Sequence, residues 1–456
     1  MLKNAGEKIS RVFHIAVIAL LSAQILTGCL WALLNCNVLQ PFPDTAELVK
    51  LSGTLRLKDD TGIIYPSLLI LIRALFANGP VKFYHVMYLL QIVLGFAAWY
   101  VFAKNVLKFD SKYKKVFFAL AAVTNPFAMQ VHLAVLEYSF ISSFVCLLVS
   151  YQVGFMREWM SQDGKCGLEK ALRDMSVTSL FWLASALTRK EFILIGCIPV
   201  LALLITIVKK LVRIKTKPID IIWPVVVALA FAGIICMGDS LFREGGRLSA
   251  SGTIKRDLYY RVAWSENFRD RYHWPEYLTS FTDEPMMTHI MNDPGLVRSE
   301  FTEYVTERYG EDETSDLFYG WFKISFAGNK KQIVKETLSD IAGYIFAPAK
   351  TESILRGSEF PGFAAGNYDV MKQHNPRLTK FYLRAFSVLY SAAVLLCMVI
   401  AVLRRKKPAG LKIYLPALII IIATAVCYSF QGCNVYDHRK VVFTTCMWIA
   451  LLMKEL

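Results

Sequence analysis

Long apolar runs separated by short basic loops constrain this chain more than any other feature. Residues 12–34, 81–106, 138–155, 192–208, 219–237, 381–403, 411–430 and 441–453 are almost free of charge. Most of them are long enough to cross about 30 Å of hydrocarbon as helix. In lipid a backbone must satisfy its own hydrogen bonds, so such runs are expected as α-helices. The bulk numbers agree: 55% of residues are hydrophobic, 19% are charged, and the mean hydropathy is +0.41. The expected fold class is an all-α polytopic membrane protein of about ten transmembrane helices.

The net charge of +15 would suit nucleic acid if it were gathered on one face. It is instead dispersed among loops between spans: Lys104, Lys108, Lys112, Lys114 and Lys115; then Lys209, Lys210, Arg213, Lys215 and Lys217; then Arg404, Arg405, Lys406 and Lys407. That distribution follows the positive-inside rule and points to membrane lipids, with no nucleic acid as partner. Residues 12–34 lack a small-residue cleavage pattern and read as a retained signal anchor. The ten cysteines form no CxxC pair or His/Cys ligand pattern, and most lie inside apolar runs, so no metal site is expected.

Traced from the inner face, the chain exposes a first outer loop at 35–62 and a shorter amphiphilic segment at 63–77. Broken or short spans follow at 116–135, 176–187 and 192–208. Residues 239–380 change character, with 21 acids against 18 bases. They are read as one mostly helical exported domain, of ordinary size, inserted before the last three spans. The expected division is 1–238, 239–380 and 381–456.

Four polar clusters fall on the outer side of this tracing: Asp44 with Glu47, His132 with Glu137, Arg189-Lys190-Glu191, and Asp437-His438-Arg439-Lys440. Ionisable groups at the membrane edge are costly and mark functional sites by default. Each also has a plainer explanation. Asp44 and Glu47 after Pro43 match a capping box. Arg189, Lys190, Arg439, Lys440 and Arg73 suit snorkelling interface residues. Glu137 suits a buried carboxylate paired with His132 or with an arginine. Trp264, Tyr272, His273, Trp274 and Trp321 either stack on an acceptor or form the exported domain's own core.

Taken in order, these pieces resemble the GT-C glycosyltransferases that use polyprenyl-phosphate sugars, the family 39 type that includes protein O-mannosyltransferases and aminoarabinose transferases. The resemblance rests on Pro43-Asp44 in the first outer loop, Tyr65-Pro66, and Glu137 at the head of a span. It also rests on Thr188-Arg189-Lys190-Glu191, and on Asp437-His438-Arg439-Lys440 before the last span. Here Thr45 stands where the family has a second acid, Lys190 where it has proline, and Lys440 where it has an aromatic residue.

The resemblance implies an inverting transfer of one sugar from a polyprenyl-phosphate donor to a lipid, glycan or protein hydroxyl on the extracytoplasmic face. Asp44 is then the general base. Glu47, Arg73, His132, Glu137, Arg189, Lys190, His438 and Arg439 line the substrates. It implies no organic cofactor and leaves a divalent cation, Mg or Mn, open. Two other classes compete. A polytopic transporter predicts mid-span charges and inverted repeats, and a non-catalytic glycan- or lipid-binding membrane protein needs no convergence of the outer loops.

Overall fold

The computed structural model describes residues 2–37, 62–76, 82–161, 167–241, 250–263, 300–346 and 411–430. It also describes isolated positions at Leu48, Phe381, Tyr382, Ala385, Cys446, Ile449, Ala450 and Met453. Asp44, Glu47, His438 and Arg439 lie outside these residues. So do most of the expected spans 381–403 and 441–453, the aromatic residues at 264–274, and the glycine-rich stretch 362–369.

The protein is an all-α membrane protein. Five helical segments are long and apolar enough to cross a membrane: His14–Asn35, Phe83–Leu107, Tyr138–Ser161, Phe192–Arg213 and Pro218–Gly238. The chain divides into two compact units. One holds residues 1–243, 347–421 and 438–456, and the other holds 244–346 and 422–437.

In the first unit the helices are α1 (Leu2–Asn35), α2 (Ile64–Phe76), α3 (Phe83–Phe102), α4 (Lys112–Val123) and α5 (Pro126–His132). They continue with α6 (Tyr138–Ser161), α7 (Leu168–Ala186), α8 (Phe192–Ile195), α9 (Cys197–Arg213) and α10 (Pro218–Leu241). Helix α6 is the central one: 72% of its apolar window is buried, against 11% for α10, whose Leu229 and Met237 are exposed. Large apolar side chains turned outward along spans are what a hydrocarbon surround requires.

The expected break within 116–135 is present. Helix α4 ends at Val123, and Asn125 restarts the chain as an N-cap, its Oδ1 accepting from the Phe127 and Ala128 amides at 2.9 and 3.1 Å. Pro126 at the first helical position costs nothing there, because its missing N–H would have been unsatisfied anyway. Helix α3 closes in a π turn, Ala103–Leu107, capped by Lys108 in the left-handed conformation. Arg157 donates to the Asn105 and Val106 carbonyls at 2.8 and 3.2 Å, satisfying acceptors at this helix end.

The polar stretch 157–173 is helical at both ends, since α6 runs to Ser161 and α7 begins at Leu168. The reason is a buried carboxylate the sequence does not advertise. Asp174, fully buried, accepts from Trp159 Nε1 at 3.1 Å and from Arg173 at 2.9 and 3.0 Å, tying the two helix ends together. Around it Trp159, Met175, Trp182, Leu203, Ile207 and Leu211 form the core of α6, α7 and α9.

The second unit contains α11 (Ala250–Ala263), α12 (Glu300–Tyr309) and α13 (Glu311–Phe346), which bends at Asn329 (φ −128°, ψ 27°). Its core is aromatic. Tyr259 lies 4.5 Å from Phe318 and 5.4 Å from Trp321 between ring centroids, and Phe301 stacks on Phe318 at 6.0 Å. Trp321 is 3% exposed. It therefore takes the core role, not that of a sugar-stacking platform. Two buried arginines bind the helices together: Arg256 to Glu311 and Ser315, and Arg261 to Asp340, Glu336 and Thr337. Helix α14 (Leu411–Phe430) completes the described elements.

Candidate functional site

Helix α7 ends at Ala186 and α8 starts at Phe192, so residues 187–191 turn the chain between them. The turn is held from within. Trp182 Nε1 donates to the Phe192 and Ile193 carbonyls at 3.1 and 3.2 Å, and Thr188 Oγ1 donates to the Ala184 carbonyl at 2.6 Å. Such local bonds fix a polar turn before any tertiary contact is made.

Two sequence-distant segments dock on this turn. The residues leading into α2 arrive along the backbone: the Gly62 amide donates to Thr188 O at 3.1 Å, and the Ile64 amide to Leu187 O at 3.0 Å. A Cβ at position 62 would run into the Leu187 carbonyl. Only glycine fits that approach, and the obstacle is backbone, which has little room to give. Gly62→Ala is therefore expected to lower the stability of the purified protein by about 1–3 kcal/mol. The check is its thermal unfolding midpoint against wild type, with Gly233→Ala, where the added methyl meets open space, as the comparison.

The second arrival is the turn leading into α6. Arg189, 6% exposed, donates through Nη1 to Glu137 Oε1 at 2.7 Å and to Tyr138 Oη at 2.9 Å. Its Nη2 reaches Glu191 Oε1 at 2.7 Å, and its Nε approaches both Glu191 oxygens at 3.1 and 3.2 Å. The Tyr138 ring lies 4.8 Å from the guanidinium carbon. The planar fork of arginine suits this double engagement, which a lysine ammonium could not reproduce. One cation thus meets two carboxylates, a formal sum of −1 for Arg189, Glu137 and Glu191.

Of the two partners the sequence left open for Glu137, the structure takes the arginine. His132 is instead built into the core, with Nδ1 2.8 Å from Ser139 Oγ and its ring against Gly95. A Cβ at Gly95 would come within 2.9 Å of His132 Cε1. Beside it Tyr65 donates to Gln91 Oε1 at 2.8 Å, and Gln91 Nε2 donates to the His132 and Ala134 carbonyls at 2.7 and 2.8 Å. Tyr65 is fully buried and packs edge-on against Phe140 at 5.3 Å between centroids. Arg73, in the last turn of α2, sits 5.8 Å over Phe83, and Lys190 is half-buried next to the cluster.

Sequence reasoning therefore marked Glu137, Arg189, Glu191 and the Tyr65-Pro66 segment, and the structure brings these segments together. It missed Gln91, Tyr138 and Ser139. A signal existed for Gln91, the one amide side chain within Phe83–Phe102, because a buried amide must find partners. Among the described residues no three His, Cys, Asp or Glu side chains gather as metal ligands would.

No protein-family model matches this chain, and no curated protein matches its sequence. Among solved structures, the chain is similar to the crystal structure of ArnT from Cupriavidus metallidurans bound to undecaprenyl phosphate. Identity is 12% and the TM-score 0.33, over 93% of this chain and 77% of that one. The apo form of the same protein gives 12% and 0.31, over 96% and 78%. Likenesses this faint leave both fold and site to be argued from the chain's own residues.

Proposed function

We propose that this protein is a membrane glycosyltransferase of GT-C type. It would move one sugar from a polyprenyl-phosphate donor to a hydroxyl acceptor on the extracytoplasmic face, with inversion. The observation that supports this reading best is the meeting of three loop segments far apart in sequence. Gly62 and Ile64 close the first outer loop onto Leu187 and Thr188, and Glu137 pairs with Arg189 at the same turn. A transferase needs such convergence to set donor and acceptor against each other, whereas a passive binding protein does not.

In this reading Asp44 takes the proton from the acceptor hydroxyl as its oxygen attacks the anomeric carbon. The bond from that carbon to the phosphate oxygen breaks, and polyprenyl phosphate leaves with the electron pair. The leaving group is already anionic and weakly basic, so cations near it suffice and no acid is required. Arg189, engaged by two carboxylates, then positions Glu137 and the turn, and the half-buried Lys190 together with Arg439 and His438 faces the phosphate. Glu47 holds Asp44 in place by the capping role its spacing suits, Glu137 orients the sugar or acceptor, and His132 and Arg73 support the surrounding helices. No step is routed through a metal ion.

The test is mass analysis of envelope glycans from cells with and without the gene, and from cells complemented with wild type or Asp44→Asn. The proposal expects one sugar-sized mass increment to vanish on deletion and to return only with wild type. Unchanged glycans in the deletion strain, or full restoration by Asp44→Asn, would overturn it.

A further inference from the structure

The part of α13 beyond the bend at Asn329 carries its charges sorted by sign. Its acids are turned toward the second unit's interior, where Glu336 and Asp340 both pair with Arg261 of α11. Ile333, Thr337 and Tyr344 are buried on the same side. Its lysines go the other way: Lys330, Lys331 and Lys335 are all exposed. Among them stand two large apolar side chains in the open, Val334 at 46% and Leu338 at 60%.

Lys331, Val334, Lys335 and Leu338 follow one another at i, i+3, i+4 and i+7, so they form one continuous patch on the helix surface. With the acids consumed on the opposite side, this patch is both apolar and purely cationic. An exposed apolar stripe calls for a cover, and lysines interleaved with it select an anionic one that also accepts hydrocarbon. In a chain with five segments long and apolar enough to cross a membrane, the occupant of that chemistry is the anionic lipid surface.

We propose that the segment of α13 after Asn329 is a membrane-interface helix, with Val334 and Leu338 entering the headgroup boundary and Lys331 and Lys335 against lipid phosphates. The lysine stems lie along the apolar boundary while their ammonium groups stay at the headgroups. This does not depend on the proposed transferase activity, and it fails or stands by itself.

The test uses the full chain in lipid nanodiscs, with an impermeant maleimide and peptide-level mass spectrometry to follow each thiol separately. Leu338→Cys probes the patch, and Glu307→Cys, at an exposed position of α12, is the reference. In nanodiscs containing anionic lipid, the thiol of Leu338→Cys is expected to react at least about fivefold more slowly than that of Glu307→Cys. Adding Lys331→Glu and Lys335→Glu should bring the rates together, since each lysine near an anionic surface is worth about fivefold in affinity. Equal rates before charge reversal would overturn the proposal. A slow rate that survives charge reversal would also overturn it, because the cover would then be protein.

Discussion

Arg189→Ala is expected to cost about 3–5 kcal/mol of stability, the range for breaking a buried ion pair by removing one partner. The substitution removes the guanidinium that both Glu137 and Glu191, with side chains each 3% exposed, engage. Arg189→Lys should recover only part of the loss, because one ammonium cannot serve Glu137, Tyr138 and both oxygens of Glu191 together. The decisive comparison is the triple variant Arg189→Met, Glu137→Gln, Glu191→Gln, which removes all three charges at nearly constant volume. It is expected to unfold close to wild type, since replacing a whole buried ionic group is often neutral. The measurement is thermal or denaturant unfolding of the purified protein. A single variant within about 1 kcal/mol of wild type, or a triple as unstable as the single, would show that the cluster does not hold the turn together.

The second large effect concerns chemistry. Asp44→Asn is expected to lower the rate of sugar transfer by about 10²–10⁴-fold, the usual contribution of a positioned general base. The substitution keeps the size and hydrogen-bonding oxygen of the side chain, so a capping role would survive it. That separates the two explanations of Asp44. A base loses turnover with folding intact; a pure cap loses little of either. Glu47→Gln, which also retains the capping geometry, should leave transfer within a few-fold of wild type. Membranes from cells expressing each variant, assayed for transfer from the lipid-linked donor, distinguish them. Wild-type turnover by Asp44→Asn would remove the assignment.

Legibility in the sequence followed the length scale of the physics. Spans were legible because lipid demands runs of about 20 apolar residues, and 12–34, 81–106 and 219–237 match the membrane-length apolar segments His14–Asn35, Phe83–Leu107 and Pro218–Gly238. The interruption before Pro126 was legible because proline and asparagine act on their own neighbours. The 157–173 stretch is the opposite case. Its polarity suits a loop, and only the contact of Asp174 with Trp159, fifteen positions earlier, shows why helix persists at both ends. Trp321 was equally ambiguous until Tyr259, Phe301 and Phe318 closed around it.

The sequence alone determined that this is a helical membrane chain and which polar residues stand at its span edges. Both follow from local cost: an apolar run must become helix in lipid, and a charge beside it must be answered somehow. What answers each charge was left to the tertiary structure. Arg189 stood 52 positions from Glu137 and two from Glu191, and composition is silent on whether an arginine there awaits a phosphate or is already paired. Bringing α6 against the α7–α8 turn decided it, because a buried guanidinium settles on the carboxylates its neighbours present.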